Sequence, residues 1–284
     1  MVAIRFLLLS FAFATLAFCT ALGGCDLAGQ ADAKARELYD ALAANHGTAL
    51  REIEDLARRG SAQAAFFSGL SYDPEASNAP DIAKAAAYYA LAAPYLASAK
   101  FNLALLVLKG ATVDDLDEEK AVELLADAAR SGRAEALMIL ATIYSQGLGA
   151  VAPDGARAAE FYAKALAATG DPRAALGLGI CFQDGRGCPV DLGRAQEFLL
   201  RAAEAGWPEA QARLAALAPS ALQAAQWHLV AALNDASHEQ AALAALAQLS
   251  EHDRVAATRA AKLWEHVHPR LVTLRKLSAP MTDP

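Results

Sequence analysis

The sequence predicts an all-α chain, a right-handed α/α solenoid of stacked helix–turn–helix repeats. Three observations predict it. The phrase Asp-x-x-Lys/Arg-Ala occurs four times, opening at Asp81, Asp117, Asp154 and Asp191, at spacings of 36, 37 and 37 residues. A second phrase, Gly-x-x-x-Ala, alternates with it, opening at Gly60, Gly132, Gly170 and Gly206. The 284-residue chain is 55% hydrophobic, much of it alanine, which favours helix and lets helices approach closely. A unit of this period cannot bury its apolar face alone, so neighbouring units must stack.

Each phrase has a local physical meaning. Aspartate at a helix N-cap accepts a hydrogen bond from the free amides of the first turn, and its charge opposes the helix dipole. The alanine four residues on (Ala85, Ala121, Ala158, Ala195) lies one turn later on the same face. Three residues further stands a bulky apolar side chain: Tyr88, Leu124, Phe161 or Phe198. Each phrase therefore opens an amphipathic helix with a small and a large residue on its buried side. The glycine of the second phrase closes that helix in the left-handed C′ conformation, and its alanine belongs to the next helix. From that alanine the pattern continues at +4, +5 and +8, as in Leu140, Ala141 and Tyr144 or Leu178, Gly179 and Phe182, with a glycine at +11: Gly110, Gly147, Gly185.

The assembled pattern is similar to the Sel-one-like repeat (SLR), a relative of the tetratricopeptide repeat. Residues 61–206 carry it as four units, 61–97, 98–132, 133–170 and 171–206. The last unit matches best, through Ala174, Leu178, Gly179, Phe182, Gly185, Gly187, Asp191, Arg194, Ala195, Phe198, Arg201, Ala202 and Ala203. The first lacks the loop glycines and has Asp73-Pro74-Glu75 and Asn78-Ala79-Pro80 instead; the second has one glycine and an acidic loop over 114–119. The resemblance implies an adaptor or scaffold that binds partner proteins on a concave face lined by the first helix of each repeat. Non-core residues expected there are Asn102, Met138, Thr142 and Arg173.

The chain before the repeats reads as an address. One positive charge precedes an uncharged apolar run over residues 6–22, the pattern of a secretory signal peptide over 1–24. Leu22-Gly23-Gly24-Cys25 resembles a bacterial lipoprotein box, which implies acylation of Cys25 and a protein anchored to the membrane rather than spanning it. Ordinary signal-peptidase cleavage and an uncleaved anchor are the alternatives, and Cys19, preceded by Phe18, fits the box worse. Asp26 after the cysteine implies, by the same resemblance, retention at the inner membrane of a periplasm-facing lipoprotein. Residues 25–32 are expected as a lipidated N-terminus and polar tether, and 33–60 as a capping hairpin of two helices with Leu38, Tyr39, Leu42, Leu50, Ile53 and Leu56 as apolar stripes. Past Gly206 the pattern decays. Residues 207–268 are expected as degenerate repeats and a C-terminal cap, with Trp227 three residues after Ala224, and 269–284 as a loosely ordered tail.

Little in the sequence points to chemistry. A net charge of −7 with no basic face excludes a nucleic-acid binder. Of the four cysteines, Cys181 and Cys188 remain after Cys19 and Cys25; they are a candidate disulfide or two buried thiols, and spacing alone leaves both open. The six histidines form no metal-ligand pattern, and Gly147-x-Gly149 and Gly185-x-Gly187 lie between helices rather than after a strand. No Ser-x-x-Lys, Gly-x-Ser-x-Gly or phosphate-binding Gly-Lys-Ser/Thr occurs. The reading is a non-enzymatic scaffold without cofactor or metal. The alternatives are a periplasmic enzyme acting on cell-wall or β-lactam substrates, and a purely structural envelope protein.

Overall fold

A computed structural model describes residues 24–43, 46–77, 79–111 and 116–267. Residues 1–23 of the expected signal peptide, Asp114 and Asp115 of the acidic loop and the tail over 269–284 lie outside the described residues. The described chain is all-α, with fourteen α-helices and no strand. In order they are α1 Gly24–Asp40, α2 His46–Arg58, α3 Ala62–Tyr72, α4 Ile82–Ala92, α5 Ala97–Leu108, α6 Glu118–Arg130, α7 Ala134–Gln146, α8 Gly155–Thr169, α9 Pro172–Asp184, α10 Leu192–Glu204, α11 Pro208–Leu217, α12 Ala221–Asn234, α13 Glu239–Ala247 and α14 Glu251–Val267. They fall into two compact units, one ending at Ala136 and one starting at Leu137.

In the first unit α3 pairs with α4 and α5 with α6; α1 and α2 pack against α3. Its core holds Ile53, Phe67, Tyr89, Leu103 and Leu106 among fully buried alanines such as Ala64, Ala85 and Ala99. In the second unit α9 pairs with α10 and α11 with α12, and α12 also packs against α13 and α14. The core there is Leu166, Leu178, Phe182, Leu199 and Leu214, again set among buried alanines. Every one of the four phrase alanines, Ala85, Ala121, Ala158 and Ala195, is buried. In α12 Ala225 and Ala231 are fully buried, and Ala224 is half-buried. Trp227, three residues after Ala224, packs edge-on against Trp264.

Caps set the helix starts. Asp81, Asp117, Asp154 and Asp191 each accept the backbone amide of Lys84, Lys120, Arg157 or Arg194 at 2.9–3.1 Å. Such a cap contributes about 1 kcal/mol to its helix. Ser61 and Ser220 cap α3 and α12 in the same way, and Pro172 and Pro208 stand in the first turns of α9 and α11, where a missing N–H costs nothing. The glycines closing the preceding helices, Gly60, Gly132, Gly170 and Gly206, all have φ between 71° and 95°, the region glycine adopts without strain.

One expected element differs. Residues 26–32, read as a tether, are part of α1. The stretch contains Ala28 and Ala31 and no proline, so nothing breaks the helix. Asp32 is also held from outside: the Ser61 hydroxyl donates to its Oδ1 at 2.7 Å, tying α1 to the start of α3.

Helix pairs close by opposing a small residue to a large one. Tyr89 lies against Gly69, where an added Cβ would come 2.5 Å from the ring, and Leu199 lies against Gly179, where it would come 2.7 Å from Cγ. We expect Gly179→Ala to destabilise the protein by about 1–3 kcal/mol, the cost of overpacking a filled site. Gly193→Ala, on the exposed face of α10 with its nearest neighbour 3.4 Å away, should stabilise it by about 0.5–1 kcal/mol through helix propensity. Urea midpoints of the two variants measured side by side check both signs.

Candidate functional site

The most regular feature of the structure is a clasp between the two helices of the first, third and fourth repeats. The backbone amide of the capping aspartate donates to the carbonyl of the aromatic residue near the end of the preceding helix: Asp81 to Tyr72 at 2.9 Å, Asp154 to Tyr144 at 2.7 Å and Asp191 to Phe182 at 2.9 Å. The same aspartate caps the next helix with its side chain, so one residue joins two helices. The aromatic of the first helix stacks on the aromatic of the second. Tyr72 and Tyr88 have centroids 6.1 Å apart and planes within 5°; Tyr144 and Phe161 are at 5.7 Å and 3°; Phe182 and Phe198 are at 5.8 Å and 9°.

The basic residue of the phrase completes the clasp. Lys84 Nζ lies 4.8 Å from the Tyr72 ring centre, Arg157 5.3 Å from that of Tyr144 and Arg194 4.0 Å from that of Phe182. Lys84 and Arg157 also pair with their own capping aspartates at 3.4 Å. The amide of Lys84 holds the Asp81 carboxyl below the usual carboxylate range. Sequence reasoning found the aspartate and the alanine of the phrase but gave the basic residue no role. The signal was present: Tyr72, Tyr144 and Phe182 each precede such a cation by 12 or 13 residues. In the second repeat Val107 and Leu124 take the aromatic places.

The four residues expected to meet a partner have different surroundings. Asn102, on α5 in the first unit, is half-buried and donates from Nδ2 to the Tyr89 hydroxyl at 3.0 Å. Met138, on α7, packs on the core of the second unit. Thr142 is exposed one turn further along α7 and returns a hydrogen bond to the Met138 carbonyl. Arg173 is exposed at the start of α9 and forked onto Asp171, which holds the Asp171 carboxyl low and the guanidinium high. Thr142 and Arg173 are thus the two whose side chains reach solvent.

Asn102 belongs to a buried polar chain that the sequence did not announce. The Tyr89 hydroxyl donates to Asp73 Oδ2 at 2.7 Å, and Asp73 Oδ1 accepts the Glu75 amide at 2.9 Å. Burial, then the Asp73 hydrogen bond, pushes the Tyr89 phenol far up, so the neutral hydroxyl donates to Asp73 while it accepts from Asn102. A second polar tie sits in the second unit: fully buried Gln211 donates to the Ala203 carbonyl and accepts from Asn234, joining α10, α11 and α12.

Among the described residues no group of three or more His, Cys, Asp or Glu could hold a metal ion. Burial and, less, His238 lower the His228 pKa, which favours its neutral imidazole. A groove of about 290 Å³ in the second unit is lined by Gln196, Leu200, Gln223, Trp227 and Trp264, among others, with no ionisable side chain. Cys181 on α9 and Cys188 in the following loop face each other with Cα atoms 6.0 Å apart, inside the range a disulfide needs. No helix among the described residues is long and apolar enough to cross a membrane.

The family model of the Sel1 repeat matches residues 63–93, 97–132, 134–169 and 172–207. No curated protein matches the chain. Among solved structures, a protective antigen of uropathogenic Escherichia coli with an SLR fold is 22% identical, with a TM-score of 0.63, over 83% of this chain and 52% of that one. The chain therefore spans about half of that antigen's length. A Sel1 repeat protein from Oxalobacter formigenes is 28% identical over 59% of this chain and 66% of that one, with a TM-score of 0.48.

Two outcomes test the site's energetics. Tyr89→Phe should cost about 1–3 kcal/mol in denaturant unfolding, because it strips Asp73 of its buried donor. A double-mutant cycle of Arg194→Met with Phe182→Leu should return a coupling of about 0.5–1 kcal/mol for the cation over the ring.

Proposed function

We propose, from the premise that this chain is a Sel1-repeat protein, that it is a cell-envelope scaffold held to the membrane by acyl chains on Cys25 and presenting its helical repeats to partner proteins. Sel1-repeat proteins are generally protein-interaction scaffolds and typically non-catalytic. The observation that carries the reading is the repeat itself, four matched copies in one chain. The polar side chains in and between those repeats add support. Capping aspartates, clasp cations, Tyr89, Asp73 and Gln211 are all engaged in holding helices together. Of the four residues expected to meet a partner on the first helices, Thr142 and Arg173 are exposed and are offered for recognition. The address rests on the apolar leader and on Gly23-Gly24-Cys25. Asp26 adds inner-membrane retention to that proposal.

The test joins the address to the partner. An alkyne palmitate analogue should label the wild-type protein in cells and leave Cys25→Ser unlabelled. A photo-crosslinking residue at Thr142 should yield a discrete adduct with an envelope protein, while the same residue at Gly193 should not. An unlabelled wild type would overturn the acyl anchor. Identical crosslinking at both positions, or none at 142, would overturn the surface.

A further inference from the structure

We propose that Cys181 and Cys188 form a redox-cleavable bridge that replaces a backbone hydrogen-bond bridge and holds the α9–α10 loop on the start of α8. The preceding repeat shows what was replaced. In the α7–α8 loop, Leu148 and Val151 exchange two backbone hydrogen bonds: Leu148 N donates to Val151 O at 2.9 Å, and Val151 N to Leu148 O at 2.8 Å. Aligned on the loop glycines Gly147 and Gly185, Leu148 corresponds to Arg186 and Val151 to Pro189. Proline has no N–H, so the second of those bonds cannot form. Among the described residues no backbone–backbone hydrogen bond reaches 186–190. The Arg186 carbonyl that would have accepted it faces the Cys181 sulphur instead.

This loop bears on the neighbouring helix pair. A Cβ on Gly187 would fall 1.8 Å from the Gly155 carbonyl carbon, and one on Gly155 would fall 2.8 Å from that of Arg186. The loop backbone therefore rests directly on the first residues of α8. Gly187, at φ 81°, both needs the left-handed conformation and leaves room for the approach. The α9–α10 loop is thus a contact between the third and fourth repeats, and the cysteine pair is its covalent hold. Cys181 is buried, whereas Cys188 is half-buried and reachable from solvent.

Opening follows ordinary thiol–disulfide exchange. A thiolate of a small dithiol attacks Cys188 Sγ, the S–S bond breaks, and Cys181 leaves as a thiolate that takes a proton from water. The second thiol of the reductant then displaces Cys188. The chain gains two thiols and the reductant one disulfide. In the open state the Cys181 thiol has only a weak S–H donor to offer the Arg186 carbonyl. The loop then rests on van der Waals contact with α8.

Arg186 provides the readout, because its exposed side chain makes the 186–187 bond a tryptic site. The full chain is oxidised with glutathione disulfide, or reduced with dithiothreitol, and digested briefly with trypsin. Peptide masses are followed with and without alkylation. We expect the 181–188 pair to resist alkylation after oxidation, and cleavage after Arg186 to run at least tenfold faster after reduction. Cleavage after Arg201, within α10, should stay unchanged. Cys188→Ser, its fold checked by circular dichroism, should cut at the fast rate in either buffer. Two alkylatable thiols at 181 and 188 after oxidation, or equal cleavage rates in the two states of the wild type, would overturn the proposal. The wild-type comparison requires no variant to fold. It also stands apart from the anchor and partner tests, which can fail without affecting it.

Discussion

The structure depends on what a single aspartate does at the start of the second helix in the first, third and fourth repeats. Its carboxylate satisfies the amides that the new helix leaves open, and its own amide satisfies a carbonyl that the previous helix leaves open. Two helix termini are thereby closed by one residue, and the chain between them is held to a fixed geometry. The cation three residues on is then delivered over the aromatic of the earlier helix, and the two aromatics lie parallel beneath it. Each contact is worth little by itself. Together they fix the angle and register at which the two helices meet, and the small-against-large packing of Gly69 with Tyr89 or Gly179 with Leu199 needs that register.

The repeats that depart from the pattern show which parts can be exchanged. The second keeps its capping aspartate but has Val107 and Leu124 in place of rings. The first keeps the rings and adds a buried chain from Asp73 through Tyr89 to Asn102. The helix pair that follows the fourth repeat loses the aspartate, is capped by Ser220, and gains a buried glutamine that binds α10 to α12. Buried polar groups of this kind must find partners or cost stability, so they penalise any slipped arrangement of the same helices. That serves a chain of near-identical units, in which an apolar surface alone would pair with the wrong neighbour at little cost.

The same economy bears on function. The clasp uses charged and aromatic residues to hold the repeat together, and the exposed remainder varies from one repeat to the next. Recognition in such a protein lies in the arrangement of ordinary side chains over several helices. The loop between α9 and α10 is a different case. There a proline has removed a backbone donor and two cysteines stand where the bond was lost, so a structural contact has acquired a chemical handle.

The sequence by itself determined the helices, their caps and their pairing, because each rests on contacts within about 40 residues that recur at a fixed period. The small and bulky positions of the phrase were legible for the same reason. The tertiary structure alone decided what those side chains touch. It placed the clasp cation over a ring 12 or 13 residues earlier, committed Asn102 to a buried tyrosine and Met138 to a core, and drew the supposed tether into a helix tied down by Ser61. Periodicity reports which face of a helix is apolar. It cannot report which neighbour meets that face, because side-chain partners on different helices are chosen by geometry in space and carry no fixed spacing along the chain.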